Sequence, residues 1–291
     1  MVKIVLERCI GQFLNLKRSI RSGFRSLYSI QLKLNAHYPA SDNFWKNSLS
    51  TIEDVNNFPR QLLNLQPDSE TFLTCEQLKH YQSVLGSDKR EISLEQLSSA
   101  FNGFGSDKSV TGLTPVYQIL LGSLPNHANL LEIGIGTNDP KLISSMGRHG
   151  KPGASLFAYN KLVGDCNIFG VDIDPNIIFS FGSIKTTVAD QTSLQSLMNL
   201  PAKFDVDSFD LIIDDGLHSP GANLNSLAFG LKYCAPGALI WIEDIPQRSL
   251  EIWWVVKKLV GHNCAFFEII KVNDNGFGVL VKTNQATGLP L

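Results

Sequence analysis

Residues 209–218 read FDLIIDDGLH and residues 238–245 read ALIWIEDI. Each is a short apolar run stopped abruptly by acids. Buried parallel strands have this composition, and in open α/β sheets ligands bind beyond the carboxyl ends of the strands. Asp214, Asp215, His218, Glu243 and Asp244 are therefore expected to project from two strand tips into one crevice. Carboxylates gathered this closely beside an imidazole repel one another unless a cation sits among them. Oxygen ligands favour a hard divalent ion such as Mg²⁺ over zinc. A histidine beside it, titrating near ambient pH, suits a general base.

A second group of residues has the pattern of a nucleoside site. LLEIGIGTND (130–139) is a strand running into a glycine turn, where Gly134 and Gly136 let a ligand approach the backbone closely. Asp139 stands where a dinucleotide fingerprint has its third glycine, which disfavours pyrophosphate. The next strand ends in Asp172 and Asp174, and a carboxylate there can accept both ribose hydroxyls. The following strand ends at Asp190-Gln191, whose side chains are candidates to read an adenine edge. Glu132 is a candidate either for a cofactor ammonium or for bracing the glycine turn. Asp214 is open between lining the cofactor, orienting His218 and capping the next helix.

These residues need a doubly wound sheet to position them. From about residue 110 apolar strands alternate with helical stretches: NLLEIG, NIFGVDID, IKTTVAD, FDLIIDD and ALIWIED are strands of a mostly parallel α/β sheet. Thr114-Pro115 opens a helix through Leu121. AFFEIIKVNDNGFGVLVKT (265–283) reads as two strands around Asn275-Gly276, a terminal antiparallel hairpin. The expected architecture is thus a seven-stranded Rossmann-like domain over 110–291, behind a mainly helical extension over 1–109. Within that extension, Ser69 is a candidate N-cap for a helix through residue 85. Ser93 and Gln96 form a capping box, and residues 39–70 read as a loop-rich connection.

Residues 1–40 carry seven Lys or Arg against the single acid Glu7, with apolar residues from Ile4 to Leu27 at roughly helical spacing. This predicts a basic amphipathic helix packed on its own domain or on a second copy in a homo-oligomer. Contact with an anionic membrane and organelle targeting are the alternatives. The net charge of −2 gives no basic excess for nucleic acid, and 43% hydrophobic residues permit a sizeable core. Five scattered cysteines without a CxxC indicate neither a zinc knuckle nor a disulfide framework, so a reducing cytoplasm is the expected compartment.

Residues 110–291 resemble class I S-adenosylmethionine (SAM)-dependent methyltransferases, with E-x-G-x-G at 132–136, the acid closing Val171-Asp172 and the final hairpin. More closely, the chain resembles the metal-dependent macrolide-sugar O-methyltransferases of the mycinamicin and tylosin type. Those carry IDDGSH and EDL, where this sequence has IDDGLH (213–218) and EDI (243–245). GSDKSVTGLTPVY (105–117) is similar to a DK…YTP-x-Y stretch of that family, with Leu113 where an aromatic is common. GKPGASLFAY (150–159) is similar to its glycine-rich segment. The resemblance implies Asp215, Glu243 and Asp244 as metal ligands and His218 as base. It matches Glu132, Gly134, Gly136 and Asp172 to cofactor motifs, and Asp190, Gln191 and Asp214 complete the candidate cofactor-binding set.

The expected activity is Mg²⁺-assisted, SAM-dependent O-methylation of a sugar or other polyhydroxylated small molecule. A catechol acceptor is the alternative, since vicinal phenols also chelate a metal. A non-catalytic methyltransferase-like subunit would show degraded acids, and they are intact here. A nicotinamide oxidoreductase would want the third glycine. Trp253 and Trp254, adjacent on a helix, are expected in core packing, with sugar stacking as the alternative.

Overall fold

The computed structural model describes residues 56–64, 71–274 and 276–284. The basic N-terminal stretch, Ser69 and Asn275 lie outside the described residues. The described residues from 71 onward belong to one compact unit, which holds the sheet and the site below.

Among the described residues its centre is a nine-stranded sheet: β1 (Leu73–Thr74), β2 (Asn129–Ile133), β3 (Asn167–Asp172), β4 (Ser180–Phe181), β5 (Ile184–Val188), β6 (Phe209–Asp214), β7 (Cys234–Pro246), β8 (Cys264–Lys271) and β9 (Gly276–Thr283). The spatial order is β1-β8-β9-β7-β6-β2-β3-β5-β4. β5, β3, β2, β6 and β7 are mutually parallel, and β9 runs antiparallel between β7 and β8. The seven expected strands are the long ones. β1 and β4 add two residues each at the edges, too short to leave a period in the sequence.

Strand alternation sorts side chains between two cores. Leu130, Leu211, Ile213, Leu239 and Trp241 pack on one face; Leu131, Ile133, Ile212, Ile240 and Ile242 pack on the other. The first face is covered by α1 (Leu94–Phe104), α2 (Thr114–Gly122) and α3 (Ala154–Leu162), through Phe101, Leu120 and Tyr159. The second is covered by α4 (Pro220–Tyr233) and α5 (Leu250–Val260), through Phe229 and Trp253. Helices on both faces bury most of β2, β3 and β6, which is why those strands read as apolar runs, whereas β5 (IKTTV), near the sheet edge, stays partly exposed.

The capping box of α1 forms as expected: Gln96 N donates to Ser93 Oγ at 3.1 Å and Ser93 N to Gln96 Oε1 at 2.8 Å. Two local expectations are corrected. Residues 56–63, read as part of a loop-rich connection, are helical. The helix expected to run from Ser69 to residue 85 begins only after β1, and residues 75–85 are helical in three consecutive short segments, Cys75–Leu78, Lys79–Tyr81 and Gln82–Leu85. Thr74 caps the first of these by pairing with Gln77, and Gly86, at φ +70°, closes the third. Pairing of Leu73 with Ile270 on β8, far along the chain, overrides the local helical pattern.

Candidate functional site

The strand order reverses at β2, whose neighbours are β3 on one side and β6 on the other. Ligands in open α/β sheets bind at such a switch point. Two cavities meet there and share Gly134, Ser144, Asp172 and Gly216. One, of about 390 Å³, is polar and is bounded by Lys108, Asp215, His218, Glu243 and Asp244. The other, of about 290 Å³, is largely apolar and is bounded by Leu142, Ile173, Ala189, Asp190, Gln191 and Leu217.

The glycine turn after β2 shapes the junction. Gly134 has φ +89°, and a Cβ there would lie 2.3 Å from the Asp215 carbonyl oxygen, so no other residue fits. Gly136, at φ +81°, lies against the Met146 side chain. Asp172 braces the turn: its Oδ2 accepts from Ile135 N and Gly136 N, both at 3.1 Å, and its Oδ1 from Asp174 N at 3.1 Å. Burial raises the pKa of Asp172 despite these donors. Asp190 accepts from the Thr192 amide at 2.9 Å and lines the apolar cavity.

Gln191 also lines that cavity, but both ends of its amide are engaged. Nε2 donates to Asp214 Oδ1 at 2.6 Å and to Ser226 Oγ at 3.0 Å, and Oε1 accepts from Leu217 N at 2.8 Å. Asp214 is fully buried, accepts from Asn223 Nδ2 at 2.9 Å and lines neither cavity. It ties β6 to α4 and the loop after β5. Burial raises its pKa.

Glu132 likewise lines neither cavity. It is fully buried on the α3 side, accepts from Tyr159 Oη at 3.0 Å and from Ser155 Oγ, and lies 3.6 Å from Lys108 Nζ. Burial pushes its carboxyl up to about 7, against the pull of Lys108. Glu243 joins the same network. Its carboxylate accepts from Lys108 Nζ at 3.2 Å and from Tyr117 Oη, and burial raises its pKa. Burial alone would pull the Lys108 ammonium down, but Asp215 and Glu243 hold it well above its ordinary value.

The outer side of the site is built differently. Asp215, His218 and Asp244 bring one ligand atom each to within 4.8 Å of one another. His218 Nε2 is 3.8 Å from Asp215 Oδ1 and 3.8 Å from Asp244 Oδ2, and its buried Nδ1 has no hydrogen-bond partner. His218 and Asp244 both have left-handed backbones, at φ +54° and +52°. Such conformations cost on the order of 1–3 kcal/mol each and persist where the surroundings impose them. At Asp244 the cause is visible: the β7–β9 register shifts between Ile242 and Ile245, a bulge that turns Asp244 out while Glu243 stays in.

Of the residues singled out in the sequence, Gly134, Gly136, Asp172, Asp215, His218, Glu243 and Asp244 border the polar cavity, and Asp190 and Gln191 the apolar one. Lys108, Tyr117, Ser155 and Tyr159 had been given no role. Charge balance was the available signal for Lys108, because inward-facing acids require a cation from somewhere. Trp253 is core, and Trp254 donates to the Thr71 carbonyl at 3.3 Å; neither lines a cavity.

The doubly wound sheet with a reversed last strand is the class I methyltransferase fold. No known protein family and no curated protein matches the sequence. Among solved structures, the chain is similar to the MycE methyltransferase from the mycinamycin biosynthetic pathway in complex with Mg and SAH. There it shows 22% identity and a TM-score of 0.51, over 68% of this chain and 56% of that one. A second crystal form gives 21%, 0.52, 68% and 55%. The complex that also holds mycinamycin VI gives 22%, 0.51, 68% and 56%. The match thus spans little more than half the length of that protein, and at this identity it establishes the fold. Among the described residues, no helix is long and apolar enough to cross a membrane.

Proposed function

We propose that this protein is a SAM-dependent O-methyltransferase that uses a hard divalent cation to activate a hydroxyl of a sugar or other polyhydroxylated small molecule. The observation that carries this reading is the convergence of Asp215, His218 and Asp244 at the mouth of a polar cavity that opens into an apolar one at the sheet's switch point. The apolar lobe, with Asp190 and Leu217, suits a purine. Asp172 and the glycine turn at the junction suit a ribose and an amino-acid tail. The Mg and SAH named with MycE, and its complex with mycinamycin VI, support the same assignment by likeness.

The donor set fits a cation of the Mg²⁺ kind. Two carboxylates from separate strand tips face one another across a single imidazole, and among the described residues no lysine or arginine forms an ion pair with Asp244. Asp215 and Asp244 would hold the ion, and Glu243 borders the same cavity. Bound there, the ion would lower the pKa of an acceptor hydroxyl, and the SAM sulfonium would supply the methyl group. The chain's own part is positioning and proton removal. His218 Nε2 lies between the two carboxylates and takes the hydroxyl proton, and the adjoining acids stabilise the imidazolium that results. Holding acceptor and donor in line across the junction supplies the rest of the acceleration.

The test is release of S-adenosylhomocysteine from SAM with nucleotide sugars, glycosylated macrolides and catechols as acceptors. Turnover is expected with a sugar hydroxyl, to vanish in EDTA and to return with Mg²⁺. Undiminished turnover in EDTA would remove the ion from the mechanism, and a preference for catechols would move the acceptor class.

A further inference from the structure

Lys108 is 2% exposed and reaches the site from the turn Asp107–Ser109 after α1. Its Nζ lies 2.6 Å from Asp215 Oδ2, 3.2 Å from each Glu243 oxygen and 3.6 Å from Glu132 Oε1. A lysine present only to neutralise buried acids would make its tightest contact with the most buried of them. Here the shortest contact goes instead to Asp215, whose side chain is 27% exposed, while those of Glu132 and Glu243 are 0% and 1% exposed. The contact divides Asp215 in two. Oδ2 faces the ammonium, and Oδ1 faces His218. The same ammonium, with the Tyr117 hydroxyl, holds the Glu243 carboxylate on the inner side of the bulge that sends Asp244 outward.

We propose that Lys108 is a positioning residue that selects the ligands of the divalent ion: it withholds Glu243 and one oxygen of Asp215, leaving Asp215 Oδ1 and Asp244 to face the ion. The inference rests on the metal-assisted reading above. Its physical content is competition. An ammonium and a divalent ion that share one carboxylate repel each other, so Lys108 weakens the ion's hold while fixing where it sits. Without the ammonium, Glu243 would have a cationic partner only in the ion, and the ligand set would widen to include it.

Mn²⁺ is the probe, titrated into chelator-treated full-length protein and followed by electron paramagnetic resonance of the free ion. Wild type, Lys108→Met, Glu243→Gln and the double variant complete a cycle. Lys108→Met is expected to bind Mn²⁺ about tenfold more tightly than wild type, since a neighbouring positive charge is gone. Glu243→Gln should then cost about tenfold more affinity in the Lys108→Met background than in wild type. Affinity of Lys108→Met within about threefold of wild type, or an equal cost of Glu243→Gln in both backgrounds, overturns the proposal. Should circular dichroism show Lys108→Met unfolded, the double variant, which removes one charge of each sign, is compared with Glu243→Gln alone. Tighter binding by about fivefold is expected, and equal binding overturns the proposal. A wild-type protein that binds no Mn²⁺ sinks the metal-assisted reading itself, and that result is read before any variant is made.

Discussion

β6 and β7 each end in a pair of consecutive acids, and the two members of each pair have opposite fates. The first members, Asp214 and Glu243, are 0% and 1% exposed and accept hydrogen bonds from Gln191 and Asn223, or from Lys108 and Tyr117. The second members, Asp215 and Asp244, have side chains 27% and 59% exposed and face His218 across the cavity. A satisfied buried carboxylate holds the fold together, and an incompletely satisfied one at a strained strand tip is available for chemistry. Under the proposed function, the inner acids belong to stability and the outer acids to the chemistry.

Exchanging members of the pairs tests that division. The largest effect is expected at the outer set. Asp215→Asn and His218→Ala should each lower turnover on the order of 10²-fold or more while SAM affinity stays within about threefold. Product release and calorimetry measure the two quantities, and full activity in either variant would remove its assigned role. Next comes Asp214→Ala, which strands the Gln191 and Asn223 amides in the core and should cost about 3 kcal/mol in denaturant unfolding. Asp244→Ala, at the exposed tip, should cost less than about 1 kcal/mol. A larger loss at Asp244 than at Asp214 would reverse the comparison.

Glu132 gives a pH signature of the inner set. Its carboxyl is raised from 4.5 to about 7, so its proton stays on in the folded state where the unfolded chain has lost it. Its contribution is therefore full below about pH 4.5 and disappears as pH rises through about 7. Glu132→Gln should flatten this fall, on the order of 3 kcal/mol, in thermal unfolding followed from pH 4.5 to 8. An unchanged slope would show that Lys108 keeps Glu132 ionised throughout. The smallest effect lies outside both sets: Ser93→Ala removes the α1 cap and should cost about 1 kcal/mol without altering turnover.

Much of the frame was legible because its signals are local. The runs LLEI, FGVD and LIID are apolar on both strand faces, as strands buried under two helical layers must be. Gly134 and Gly136 announced a close backbone approach, and the Ser93–Gln96 box announced a helix start. Each depends on neighbours within a few residues. The short strand β1 was not legible, because two residues carry no period and its partner lies on β8. The roles within DD and ED were half legible: alternation says that neighbours point apart, but not which neighbour points at a partner.

The amino-acid sequence alone determined a doubly wound sheet whose adjacent strand tips carry acids and a histidine. Alternation, turn chemistry and apolar runs act over a few residues and need no distant contact. Only the tertiary structure decided how those acids are partnered. Lys108 is 107 residues from Asp215 and 135 from Glu243 along the chain, and nothing local marks it as their counter-ion. Burial chose it: removing carboxylates from water requires a compensating charge within hydrogen-bond reach, and the packing of α1 against α2 and α3 delivers the one that fits.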